Sequence, residues 1–308
     1  MTKVVFFGNE RLVSGLDTTT APILNGLINN GYDVVAVVSH HTFGKSRNDR
    51  ALEVADVAKK HDIPIFLPSK PDEILTDLKN LQADVAVLVA YGRIVSQKVI
   101  DLFPGGIINV HPSLLPQYRG PTPIEAAILN GNTETGVSIM QLTSGMDEGP
   151  VYSQQRLQLN GTETKFELYE KISKLVTSLF FDVFPKIIDN KLSPKPQINE
   201  SASYCSLITK SDGIIDWNES AQTIERKIRA FLGWPQSRTN FGDVEVIITS
   251  AHVEAGKETP GKIAQADQNR LLVGTGDGIL SIETLKPLGK QEMPISAFLA
   301  GYNNRLKN

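Results

Sequence analysis

The run Gly106-Ile-Ile-Asn-Val-His-Pro112 sets an amide and an imidazole two residues apart at the end of an apolar, β-branched stretch. In a strand, positions i and i+2 share a face, so Asn109 and His111 point the same way and Val110 the other. Pro112 cannot donate to a ladder and stops the strand. Asn109 can donate through its amide nitrogen, and His111 can donate or accept according to its charge. Donors side by side with a proton carrier suit a reaction that builds negative charge on an oxygen. Strand ends are also where open α/β sheets keep their ligands. The plainer alternative is a polar strand end followed by the Pro-rich loop Ser113-Leu-Leu-Pro-Gln-Tyr-Arg-Gly120.

The elements that must position this pair can be read from periodicity. Apolar runs at 3–7, 33–39, 63–66, 84–90 and 106–110 predict buried strands. Helical patterns lie between them at about 21–30, 50–61, 72–80 and 96–103, the first closed by Gly31. Strands alternating with helices mean βαβ units and a parallel sheet. Residues 136–142 and 150–157 break the rhythm; the first alternates like a half-exposed strand. The Ser144-Gly145 turn between them puts Asp147 in a loop, where an ordinary turn residue is the alternative. A long amphipathic helix is expected over 165–190, then a stretch rich in Pro and Ser with linker composition. Beyond it, a helix ending at Phe231 precedes short strands at 243–249, 261–266, 270–274 and 278–286, and a last helix near 294–301. Short strands without interleaved helices suggest a small β-barrel of OB type.

Bulk properties fit this division. The chain has 308 residues, enough for about two domains. An apolar fraction of 41% and a charged fraction of 21% are those of an ordinary globular protein. There is no run of eighteen apolar residues and no signal-peptide pattern, so the expectation is a cytoplasmic protein. Cys205 is the only cysteine, which excludes an internal disulfide and a multi-cysteine zinc site. A net charge of −3 argues against a strongly basic nucleic-acid binder. Residues 206–308 carry 12 Lys/Arg and 12 Asp/Glu, so no basic excess marks that part. The turn after the first strand lacks Gly-x-Gly-x-x-Gly, and there is no Walker A run, which excludes the usual dinucleotide and P-loop sites.

The stretch 106–120, taken with Met140-Gln-Leu-Thr-Ser-Gly-Met-Asp-Glu-Gly-Pro150, resembles the folate-dependent formyltransferases. The likeness covers nearly the whole chain. In the C-terminal part it includes Lys210-Ser-Asp-Gly-Ile-Ile-Asp-Trp217, Arg229-Ala-Phe-Leu-Gly-Trp-Pro235, Gly274-Thr-Gly-Asp-Gly-Ile-Leu280 and Ala297-Phe-Leu-Ala-Gly301. The resemblance implies a Rossmann-like formyltransferase domain over 1–190, a linker over 191–205 and an OB-like barrel domain over 206–308. It implies transfer of the formyl group of 10-formyltetrahydrofolate, with Asn109, His111 and Asp147 around the formyl group and no metal. In the branch of the family that the C-terminal signatures fit, the acceptor is the amino group of methionyl-initiator tRNA. No protein partner is implied, and a monomer is expected.

Formyl transfer to an amine is acyl transfer through a tetrahedral oxyanion. Donors aimed at that oxygen are worth roughly 10²–10³ in rate each. An α-amino group has a reference pKa of about 7.7–8.0, so a neutral fraction is present already and orientation matters most. On this scheme Asn109 orients the formyl oxygen and donates to it. His111 is the second donor, best when protonated, and Asp147 supports that charge and relays the amine proton.

By the same resemblance Val89, Tyr91, Gly92 and Ile94 lie near the folate, and Ser113, Leu114, Leu115 and Pro116 line its pocket. An ordinary βα turn with a core tyrosine, and leucines that only pack, are the alternatives. The basic loop His40–Arg50 offers Lys45, Arg47 and Arg50 for tRNA phosphates, or is a solvated charged loop. It lacks the family's usual Gly-Arg-Gly-Lys-Lys-like run. The first turn, Gly8-Asn-Glu-Arg-Leu-Val-Ser-Gly-Leu-Asp-Thr-Thr-Thr20, also departs from the family's Gly-Thr-Pro-aromatic pattern. That turn helps shape the amine site, so an amino-sugar nucleotide stays open as an alternative acceptor. A hydrolase passing formyl to water, a glycinamide ribonucleotide acceptor and a binding module without activity are further readings. Trp217 and Trp234 are expected to pack rather than stack on bases.

Overall fold

A computed structural model describes residues 1–16, 18–40 and 52–306. Lys45, Arg47 and Arg50 lie outside the described residues. The chain divides into two compact units. The first takes Met1–Ile124, Glu134–Gln158 and Leu168–Ser206; the second takes Glu125–Thr133, Leu159–Glu167 and Leu207–Asn308.

The first unit is built on β1 (Lys3–Gly8), β2 (Asp33–Val38), β3 (Ile65–Phe66), β4 (Val85–Val89), β5 (Ile107–His111), β6 (Glu134–Gln141) and β7 (Val151–Gln158). Their order across the sheet is β3-β2-β1-β4-β5-β6-β7. The first five run parallel, as the βαβ rhythm predicts. β6 and β7 join antiparallel, where that rhythm breaks. β6 is buried along almost its whole length rather than half-exposed. The reason is its place: it pairs with β5 on one side and with β7, the edge strand at that end of the sheet, on the other.

α1 (Pro22–Asn29), α2 (Glu53–Lys60), α3 (Leu75–Leu81) and α4 (Gln97–Ile100) connect the parallel strands. A 3₁₀ turn at Pro71–Ile74 precedes α3, so the helix expected over 72–80 is in two parts. Val5 and Phe7 of β1 pack with Leu78, Val99 and Phe103. Val4 and Phe6 point the other way and are equally buried, so the sheet is covered on both faces. α5 (Pro123–Leu129) is a helix that periodicity missed; α6 (Lys165–Ile188) is the long one expected. Phe180 stacks on Phe184, which meets Tyr32 edge-on. Among the described residues no helix is long and apolar enough to cross a membrane.

The second unit holds α7 (Ala221–Ala230), then β8 (Ser237–Phe241), β9 (Val244–Glu254), β10 (Ile263–Ala266), β11 (Leu271–Gly274), β12 (Ile279–Pro287), β13 (Met293–Pro294) and α8 (Ile295–Tyr302). The strands form one antiparallel sheet, β10-β11-β12-β9-β8 with β13 on β12, consistent with an OB-like domain. Ser220 caps α7 by accepting the Thr223 N–H at 3.1 Å. Ile224 and Ile228 of α7 and Phe298 of α8 fill its core. Trp217 packs against that core and donates to Thr239 Oγ1 at 3.1 Å, whereas Trp234 stays partly exposed. Lys165 is fully buried, donates to the Trp234 carbonyl at 2.9 Å and lies 3.9 Å from Glu125. Burial pushes its ammonium down to about 8, against the pull of Glu125.

Candidate active site

β5 is buried at every position because it lies between parallel β4 and antiparallel β6. Its register sets Asn109 beside Leu88 and Met140, and His111 beside Ser138. Asn109 is 5% exposed and His111 4%. The ring nitrogen Nε2 of His111 lies 2.9 Å from the Tyr118 carbonyl. A carbonyl only accepts, so Nε2 carries a hydrogen. That leaves Nδ1 to face Asp147, whose Oδ2 is 3.7 Å away. The distance is too long for a direct hydrogen bond, so the carboxylate faces the ring without bonding to it.

Two loop residues in left-handed backbone conformations complete this arrangement. Tyr118 has φ 55° and Asp147 has φ 51°. The carboxylate of Asp147 accepts the Gly120 N–H at 2.8 Å, which ties the β6–β7 loop to the loop after β5. Gly120 has φ +114°, and a Cβ there would stand 2.3 Å from the Cys205 carbonyl oxygen. No side chain fits this position without moving the backbone.

The loop 113–117 is stitched to β6 and β7. Ser138 Oγ donates to the Ser113 carbonyl at 2.7 Å and accepts the Leu115 N–H at 3.1 Å. Gln154 Nε2 donates to the Leu115 carbonyl and to Ser138 Oγ, both at 2.8 Å. Ser113 Oγ donates to the Gln117 carbonyl at 2.6 Å. Ser113 and Leu115 are thus held by structure, and Leu114 and Pro116 are half-buried.

The residues after β4 separate into two groups. Val89 and Tyr91 are buried in the core, while Gly92 and Ile94 are exposed, Ile94 at 85%. The Tyr91 ring meets Phe7 and His40 edge-on at 5.5 and 5.8 Å. Its hydroxyl is buried and has no hydrogen-bond partner among the described residues. Burial pushes that phenol up to about 12, so it stays a donor at every physiological pH. A buried, unpartnered donor beside the strand ends suits a polar ligand edge. A cleft of about 730 Å³ lies at the opposite ends of the strands, against Thr2, Val85 and Gly105, away from His111 and Asp147.

The unusual first turn contains a residue that sequence reasoning missed. Glu10 is buried and accepts the Ile23 and Leu24 N–H groups at 2.9 and 2.8 Å. It caps α1 from a distance, because Ala21 at the N-cap has no side-chain acceptor. Burial pushes its carboxyl up to about 7, against the pull of those two donors. Between pH 4.5 and 7 the folded chain then holds a proton that the unfolded chain has released. Stability from this group is full below pH 4.5 and is lost as pH rises through 7. Urea melts of Glu10→Gln and the parent at pH 4.5 and 8 should show the variant gaining about 3 kcal/mol on the parent across that interval. Parallel pH profiles would show that Glu10 carries no such linkage.

Two units, a mainly parallel α/β sheet and an OB-like domain, with Asn109 and His111 on β5 and Asp147 3.7 Å from the His111 ring, define the class. Residues 3–184 match the formyl transferase family and residues 207–303 the formyl transferase C-terminal domain, and the chain belongs to that family. A methionyl-tRNA formyltransferase of Pseudoalteromonas translucida is 36% identical over 298 residues, 94% of this chain and 93% of that protein. One of Thermodesulfovibrio yellowstonii is 34% identical over 302 residues, 97% of this chain and 95% of that protein. Among solved structures, an N-formyltransferase of Helicobacter canadensis, in complex with folinic acid and dTDP-3-aminofucose, shares the fold at a TM-score of 0.69. That structure is 21% identical, over 95% of this chain and 100% of the other.

Proposed function

We propose that this enzyme transfers the formyl group of 10-formyltetrahydrofolate to the free amino group of methionyl-initiator tRNA. The observation that carries the acceptor is the 36% likeness to a methionyl-tRNA formyltransferase, which runs through 94% of the chain. The reading carries with it a cytoplasmic monomer, since its acceptor is a charged tRNA of translation and no second chain is needed for the site.

The site supports a direct mechanism. The amine nitrogen attacks the formyl carbon, and the carbonyl electrons move onto oxygen. Asn109 donates to that oxyanion through its amide nitrogen. His111 donates through Nδ1, the nitrogen that Tyr118 leaves free, and does so as an imidazolium. Asp147, 3.7 Å from the ring, takes the proton released from the attacking amine. As the intermediate collapses, the bond between carbon and N10 breaks and N10 leaves with the proton that Asp147 took from the amine. The folate is proposed to lie along 89–94 and 113–116, with the Tyr91 hydroxyl as one donor to it.

Single-turnover transfer of radiolabelled formyl tests this, with methionyl-initiator and methionyl-elongator tRNA offered in parallel. Label on the initiator alone is expected. Label on neither, with an amino-sugar nucleotide formylated instead, would replace the acceptor.

A further inference from the structure

We propose that Gln197, held by Arg119, is the positioning residue that seats Asp147 against His111. The proposal deepens the reading of these two groups as the site of formyl transfer and rests on it.

Residues 191–205 have linker composition, yet they belong to the first unit. Lys195 exchanges two backbone hydrogen bonds with Val151, at the start of edge strand β7. Ser203 Oγ accepts the Tyr118 N–H at 3.0 Å, and Tyr118 is the residue whose carbonyl holds His111. The same segment meets Arg119 along its length. The Arg119 N–H donates to the Ser203 carbonyl, and its carbonyl accepts the Cys205 N–H.

Arg119 is 1% exposed and the largest fully buried side chain. Its Nε and Nη2 donate to Gln197 Oε1 at 3.1 and 2.9 Å. Nη2 also donates to Asn199 Oδ1 at 2.8 Å and Nη1 to Tyr204 Oη at 3.1 Å. A guanidinium only donates, so the atom of Gln197 that faces it is the oxygen. The amide nitrogen must then point the other way. It donates to the carbonyls of Asp147 and Gly149, each at 2.7 Å.

This clamp acts on a residue that needs one. Asp147 has φ 51°, in the left-handed region that few residues other than Gly, Asn and Asp enter and that local hydrogen bonds stabilise. Its carboxylate reaches Gly120 and faces His111 only while that conformation holds. Gln197 grips the backbone of Asp147 on one side and of Gly149 on the other. Arg119 sets the direction of the grip.

Gln197→Glu keeps an acceptor for Arg119 but turns an anion toward the two carbonyls. The loop should shift while the fold persists. We expect kcat for formyl transfer to fall about 10²-fold, since small misplacements of a catalytic group cost that much, with KM for the folate within twofold. In an Asp147→Asn background the same change should lower kcat by less than threefold, because the group it positions is already disabled. Hydrogen exchange gives a readout that needs no acceptor. The Gly120 amide, which Asp147 holds, should exchange about tenfold faster in Gln197→Glu, while the β5 amides stay protected. An unchanged Gly120 amide, a kcat within twofold of the parent, or equal losses in both backgrounds would overturn the proposal. An enzyme inactive on methionyl-tRNA with a Gly120 amide released by the variant would fail the acceptor reading and leave the clamp standing.

Discussion

Asp147→Asn is expected to lower kcat for formyl transfer by about 10²–10³, with little change in stability or in folate KM. The geometry states why. An asparagine oxygen can still accept the Gly120 N–H, so the loop keeps its anchor. What disappears is the negative charge 3.7 Å from His111 Nδ1. Nε2 is committed to the Tyr118 carbonyl, so Nδ1 donates only when the ring is protonated. On the proposed mechanism, removing the carboxylate takes away the acceptor of the amine proton. Asn109→Ala should cost a similar factor by removing the other donor. Rapid-quench kinetics at saturating folate separate the chemical step from binding. If both variants keep near-parent kcat, the Asn109–His111–Asp147 scheme is wrong.

The second large effect concerns the scaffold. Gly8 ends β1 with φ +135°, and a Cβ there would stand 1.8 Å from the Val89 carbonyl oxygen of β4. That carbonyl also accepts the Glu10 N–H, so the contact joins the first turn to the end of β4. Gly8→Ala should therefore destabilise the first unit by roughly 3–5 kcal/mol, part backbone strain and part overpacking. Gly31→Ala separates the two causes. Gly31 also has positive φ, at +79°, but nothing lies within 4 Å of its would-be Cβ. Its cost should be about 1 kcal/mol. Urea denaturation of both variants checks the contrast; equal losses would show that the close approach of β1 and β4 costs nothing.

The two predictions differ in what could be foreseen from residues alone. Asn109 and His111 were legible because strand periodicity is local: residues two apart in a strand share a face whatever the strand packs against. The parallel core was legible for the same reason, since β1, β2, β4 and β5 are short apolar runs between helical patterns. Asp147 was reached only through resemblance to a family. Its nearness to His111 depends on a loop whose conformation no pattern encodes.

Other features depended on the order in which strands assemble. β6 alternates in sequence as though half-exposed, yet it is buried because β7 takes the edge. The close approach at Gly8 exists because β4, distant in sequence, lies next to β1. Glu10 reads as a loop carboxylate in an unusual turn, and only the folded chain brings α1 within its reach. The stretch after residue 190 has the Pro and Ser content of a connector. Its role follows from contacts with Arg119, Asp147 and Tyr118, all more than forty residues away in sequence.

The amino-acid sequence by itself determined the class of fold, the two-part organisation and the amide–imidazole pair, because these follow from local periodicity and from the family's motifs. The tertiary structure alone decided which histidine nitrogen is free, what holds Asp147 in a left-handed conformation and which buried carboxylate caps the first helix. Each of these is a hydrogen bond between residues distant along the chain, and only the packing of strands and loops sets the distance across which it forms.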